Sequence, residues 1–179
     1  IGSVALFRPR KGLEVLIQAL SHLRQMGLSV RLRAVGSFET LEYENAMKLM
    51  AEQLEVSDII DWVGFVQEVD REFPKMDILV LPSLFGEGMP MVILEAMATG
   101  VPVIASNVEG IPEVLEHGQT GLVVPPGDAK QLAVVLADLM NKKYEWQTLR
   151  KKAYELQVTN FSDFSMANGV ANVYNAILS

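Results

Sequence analysis

Residues 86–100 read GEGMPMVILEAMATG and carry two carboxylates, Glu87 and Glu95, in an otherwise uncharged and largely apolar run. Apart from Glu95, no residue between Glu87 and Glu109 is charged. An unpaired carboxylate in apolar surroundings is costly, so such a residue usually has a partner or sits at a functional site. Pro90 suits the first position of a helix, which sets Glu95 five positions in, about 7–8 Å along the axis. Glu87 then lies in the loop ahead of the helix. The two acids flank a helix N-terminus, whose free N–H groups and partial positive charge suit a phosphate. Gly86 and Gly88 let the backbone approach a ligand closely, and carboxylates accept readily from sugar hydroxyls. The constellation suggests a ligand of the form sugar–diphosphate–ribose. The plainer alternative is a solvated loop glutamate and a helix glutamate that pairs with a cation or a backbone N–H.

A second cluster, RPRK at 8–11, sets three cations in four residues of a chain whose net charge is −7. A local basic loop in an acidic domain could serve an anionic ligand or could simply be solvated. The overall acidity argues against non-specific nucleic-acid binding. With no cysteine, neither a disulfide framework nor a thiolate metal site is available, which fits a reducing, cytoplasmic setting. No Asp-x-Asp pair or His/carboxylate cluster has the spacing of a metal site, so no cofactor is expected. No apolar run approaches the roughly 20 residues that span a bilayer, and the opening IGSVALF lacks the basic start of a signal peptide. The chain opens on Ile1 within a strand-like run, which reads as a fragment with more protein ahead of it.

These residues must be positioned by the elements between them. Apolar, β-branched runs at 1–7, 29–36, 58–65, 77–83, 101–106 and 120–128 read as strands. Helical patterns lie between them at 11–27, about 40–54, a short stretch around VDREFPKM, Pro90 to about Gly100, and a short helix from Ile111. Two or three more finish the chain, at about 128–141, 144–156 and 162–177. Strands alternating with helices predict one α/β domain over 1–179, a Rossmann-like, doubly wound, six-stranded parallel sheet with ligands at the carboxyl ends of the strands.

GEGMPMVILEAMATG, with its E-x7-E pair, is followed by GVPVIAS (100–106), EGIPEV (109–114) and GQTGLVVPPGD (118–128). With KGLEVLIQAL, AVG and WVGF ahead of them in order, these segments resemble the C-terminal, donor-binding domain of retaining GT-B glycosyltransferases of the large family 4 group. The likeness covers nearly the whole chain. It implies a nucleotide-sugar donor, UDP being the commonest base with GDP and ADP also used. It also implies an N-terminal acceptor domain absent from this sequence, no metal, and a complete protein for which peripheral membrane association stays open. By position, Glu87 matches the glutamate that meets the donor sugar's hydroxyls, and Glu95 the one that holds the ribose. Gly88, Met89 and Pro90 match the backbone facing the diphosphate, and Lys11 matches the phosphate-binding lysine. Gly36 ends the second strand of the pattern, and Gly64 with Phe65 would border the base. Lys11 and Glu87 are the residues expected to carry the chemistry. Where the family often has an arginine five residues before the lysine, this chain has Leu6, and Arg8 or Arg10 is left to supply the second cation. A non-catalytic nucleotide-sugar-binding module and a sugar-nucleotide epimerase of the same architecture are the alternatives.

His22 and His117 have no Ser, Cys or metal-ligand companion and read as structural or solvated. Met89, Met91 and Met97 lie close enough in sequence to line the site, while the remaining methionines read as core filler.

Overall fold

The computed structural model describes residues 1–178. Apolar runs flanked by amphipathic stretches become six short parallel strands: β1 (Gly2–Val4), β2 (Leu32–Val35), β3 (Ile60–Gly64), β4 (Leu79–Leu81), β5 (Val103–Ser106) and β6 (Leu122–Val124). Their order across the single sheet is β3-β2-β1-β4-β5-β6, every pairing parallel. The chain winds outward from β1 in one direction and from β4 in the other, so the order reverses between these two strands. Each strand is shorter than its apolar run. The continuous ladder of β1 breaks at the bend at Ala5, beyond which only an isolated bridge joins Phe7 to Phe38.

The strands are buried on both sides, which is why they read as continuous apolar runs. Successive side chains point to opposite faces. Val80 and Ile104 pack with Leu16, Leu20, Leu132 and Leu136 on one face. Leu79, Leu81, Val103 and Ala105 pack with Ile93, Met97 and Ile111 on the other. The first layer is built by α1 (Leu13–Gln25), α2 (Leu41–Gln53) and α5 (Ala129–Met140); the second by α3 (Met91–Ala98), α4 (Ile111–Val114) and α6 (Trp146–Leu156). Caps fix two starts: Thr40 Oγ1 accepts from the Tyr43 N–H at 3.2 Å, and Asp128 Oδ1 from the Gln131 N–H at 2.9 Å.

Three departures from the sequence reading are local. The helix expected around VDREFPKM is two separate 3-10 turns, Val69–Arg71 and Phe73–Lys75, because Pro74 lacks the N–H a continuing helix needs. Pro90 is the N-cap of α3 with extended backbone, and the helix begins at Met91. Proline still precedes the first turn, but Glu95 becomes the fifth helical residue. Met97 is fully buried on the core side of α3 and lines no surface, whereas Met89 and Met91 are exposed.

A π-helical turn, Gln157–Phe161, leads into α7 (Asp163–Leu178). No residue of α7 is buried; Phe164, Met166, Val170, Val173 and Ile177 are all exposed. Among the described residues no helix is long and apolar enough to cross a membrane.

Candidate functional site

In an open parallel sheet, ligands bind beyond the carboxyl ends of the strands where the order reverses. Here that point lies between the loop leaving β1 and the loop leaving β4. The first contains RPRK, the second GEG. A 3-10 turn, Pro9–Lys11, follows β1, and Gly12 (φ +66°) turns the chain from it into α1. A β-carbon at position 12 would stand 2.0 Å from the Pro82 carbonyl oxygen, so only glycine permits this approach of the two loops. The Leu84 N–H donates to the Arg10 carbonyl at 2.8 Å and ties them together.

That approach brings the predicted acid and base into contact. Lys11 Nζ donates to Glu87 Oε1 at 2.5 Å, and the Ser83 hydroxyl donates to the same oxygen at 2.5 Å. Glu87 is 5% exposed and Ser83 is fully buried. Glu87 is therefore no solvated loop residue but a buried carboxylate held by a cation and a hydroxyl. Arg10 lies across the same loop. Its Nη1 donates to the Gly86 carbonyl at 2.6 Å and reaches within 4.0 Å of Glu87 Oε1. Arg8 instead turns to Glu39, at 3.1 Å, on the loop after β2. The two arginines that the sequence left equivalent thus part, and Arg10 is the one at the acid. Leu6 is exposed nearby in the chain.

Beyond Glu87, a β-carbon on Gly88 would meet no atom within 4 Å, so the backbone there is open to a ligand. Gly88, Met89 and Pro90 lead into α3, whose first turn has no side-chain cap among the described residues. The Ile93 N–H donates to the Pro90 carbonyl at 3.0 Å, which leaves the Met91 and Val92 N–H groups at the helix start to water or a bound acceptor. Glu95 lies one turn in, half-buried. Among the described residues its carboxylate has neither an ion pair nor a hydrogen bond, so the cation-paired reading does not describe it. Burial, and then the charge of Asp70, push its carboxyl above the ordinary value. Asp70 belongs to the 3-10 turn Val69–Arg71 after β3, whose Val69 packs against the same core cluster as Ile93 and Met97 of α3. That connection leaves β3 at Gly64, whose carbonyl accepts from the Gly36 N–H at 2.8 Å, and Phe65, 72% exposed, follows it. The predicted base-side residues and Glu95 thus share one end of the sheet.

The sequence reading missed Ser83 and Glu109. Ser83 ends the apolar DILVLPS run four positions before Glu87, and a lone hydroxyl there was a readable signal. Glu109 Oε2 accepts from the Glu87 N–H at 3.2 Å; its signals were being the next charge after Glu95 and opening the EGIPEV segment. His117 is structural, with Nδ1 accepting from the Val123 N–H at 3.0 Å.

A doubly wound parallel sheet with cations and carboxylates gathered at its switch point is a Rossmann-type ligand-binding domain. The chain belongs to the glycosyl transferases group 1 family, which it matches over residues 1–156. It is 38% identical over 144 residues to the amylovoran biosynthesis glycosyltransferase AmsK of Erwinia amylovora, covering 76% of this chain and 35% of that protein. The structure of Anabaena Alr3699/HepE in complex with UDP superposes with a TM-score of 0.91 at 23% identity, over 98% of this chain and 48% of that one. The C-terminal domain of LpcC, a glycosyl transferase group 1 family protein of Francisella tularensis, superposes at 0.76 and 23% identity, over 91% of this chain and 84% of that domain. The fold is that of the C-terminal half of a GT-B glycosyltransferase. The chain spans about half the length of the curated relatives it matches, or less.

Proposed function

We propose that this chain is the donor-binding domain of a retaining glycosyltransferase, which moves a sugar from a nucleoside-diphosphate sugar to an acceptor hydroxyl. The observation that carries the reading is the part-buried Lys11–Glu87 contact at the switch point, next to a helix start with no side-chain cap. Paired with each other, these two groups hold a cation and an acceptor for hydroxyls side by side at the switch point. A donor diphosphate would draw Lys11 and Arg10 and lie against Gly88–Pro90 and the first turn of α3. Glu87, released from Lys11, would then accept from the sugar's hydroxyls. Glu95 would take the ribose, and the Gly36, Gly64 and Phe65 edge would border the base. UDP is the favoured base, in keeping with the UDP held by the Anabaena relative.

In the reaction the anomeric C–O bond to the diphosphate breaks while a bond to the acceptor oxygen forms on the same face. The acceptor's proton leaves with the diphosphate. Positive charge develops on the sugar and negative charge on the leaving group, so the protein's work is positioning and charge stabilisation. Lys11, Arg10 and the α3 N-terminus would supply this without a metal. The acceptor would be held by the rest of a longer protein, and the unpartnered apolar side of α7 accords with such a half.

The test is to give the complete protein UDP-, GDP- and ADP-sugars with hydroxyl acceptors in EDTA, and to read nucleotide release and the anomeric configuration of the product. Transfer with retention supports the reading. Donor binding without turnover favours a non-catalytic module, and free nucleotide with an altered sugar favours an epimerase.

A further inference from the structure

The loop carrying Glu87 is gripped from two sides. Arg10 holds the Gly86 carbonyl from the β1 side. From the β5 side, Glu109 and Gly110 take both main-chain groups of Glu87. The Glu87 N–H donates to Glu109 Oε2 at 3.2 Å, and the Gly110 N–H donates to the Glu87 carbonyl at 3.0 Å. Gly110 lies so close that a β-carbon there would stand 1.9 Å from the Gly88 carbonyl oxygen.

Glu109 itself has φ +29°, in the left-handed region that side chains with a β-carbon disfavour. It is also exposed, so no buried contact of its own side chain offsets that conformation. What the conformation secures is the carboxylate's reach to the Glu87 N–H. Local strain kept for one contact points to function at that contact.

We propose that Glu109 is a positioning residue: it fixes the Glu87–Pro90 backbone in its ligand-ready form and thereby raises affinity for the nucleotide diphosphate. The proposal rests on the donor-binding reading above. A backbone fixed before the ligand arrives loses less freedom on binding.

The test compares wild type with Glu109→Gly and Glu109→Gln. Glycine accepts the left-handed backbone without strain but has no acceptor; glutamine keeps a carbonyl oxygen for the Glu87 N–H. Three quantities are read: the melting temperature, the hydrogen-exchange rate of the Glu87 amide by NMR, and calorimetric affinity for UDP, GDP and ADP. In Glu109→Gly the melting temperature should stay level or rise, while the Glu87 amide exchanges faster. The tightest of the three nucleotides should bind roughly three- to ten-fold more weakly, the range of one ordinary hydrogen bond. Glu109→Gln should stay near wild type in all three. Unchanged Glu87 exchange in Glu109→Gly overturns the proposal, as does affinity that falls only in step with melting temperature. Wild type that binds a nucleotide no better than Glu109→Gly sinks this proposal alone. Wild type that binds none of the three sinks the donor reading and this proposal with it.

Discussion

Lys11 and Glu87 stand 76 positions apart in the chain and meet at 2.5 Å in the space. Their strands, β1 and β4, are direct neighbours, and the sheet reverses its order there. A cation suited to phosphate and a carboxylate suited to hydroxyls are thereby held together, part-buried, until something separates them.

Replacing Lys11 with Met should leave Glu87 buried with only the Ser83 hydroxyl and the more distant Arg10. Removing one partner of a buried pair costs roughly 3–5 kcal/mol, and these two residual partners reduce that to about 2–3 kcal/mol. In urea denaturation the Lys11→Met/Glu87→Gln double variant should recover at least half of this loss. Additive losses in the double variant would contradict a coupled pair.

Arg10 and Arg8 should separate in binding. Arg10→Ala should weaken nucleotide-diphosphate binding about ten-fold, as expected for a charge-assisted contact. Arg8→Ala, which loses the exposed partner Glu39, should change it less than two-fold, an exposed pair being worth little. Equal effects of the two would remove the distinction drawn from their contacts.

Glu95 gives a pH signature. Its carboxyl is raised above the ordinary value by burial and then by Asp70. The native state therefore holds this proton more tightly than the unfolded chain does. Stability is lost as pH rises from the unfolded value through the raised native one. Glu95→Gln should remove that loss, so at neutral pH it should melt higher than wild type while binding nucleotide more weakly. Melting curves across the acid range check the first half; a variant that melts lower at neutral pH would contradict it.

Glu72 serves as the control at the opposite, amino-terminal end of the sheet. Buried, it accepts from Arg33 Nε and Lys75 Nζ, both at 2.7 Å, and Lys75 and then Arg33 hold its carboxyl below the ordinary value. Its contribution is present above the unfolded value and is lost as pH falls through the lowered native one. Glu72→Gln should destabilise the protein at neutral pH, narrow its difference from wild type in acid, and leave nucleotide affinity unchanged. A loss of affinity at neutral pH, from a protein still folded, would tie this end of the sheet to the site.

The alternation of strands and helices was legible because both faces of the sheet are covered, so every strand is an uninterrupted apolar run. Residues such as Val80 and Leu81 are apolar although they face opposite layers. Strand ends were less legible, since apolar residues such as Phe7 stay buried beyond the continuous ladder, Phe7 pairing only in an isolated bridge to Phe38. Within the site, Glu87 and Glu95 stood out by charge against an apolar or glycine-rich background, and Lys11 as the end of the basic RPRK cluster and by the family likeness. What the linear pattern could not carry was the choice between Arg8 and Arg10. It depends on the 3-10 turn at Pro9–Lys11, which sends alternate side chains to different loops. Nor could it carry the hold of Glu109 on Glu87, 22 positions away, which exists only because β4 and β5 are neighbours. Glu95 was read as either paired or at a functional site; among the described residues it has no ion pair or hydrogen bond, and it is half-buried at the site's end of the sheet.

The most direct measurement is calorimetric titration of this chain with UDP, GDP and ADP in EDTA, beside a Glu95→Ala variant. Saturable binding of one nucleotide, weakened in the variant, is the predicted result and would name the base. Binding that Glu95→Ala leaves unchanged would contradict the ribose role, and a folded chain that binds none of the three would contradict the donor site itself.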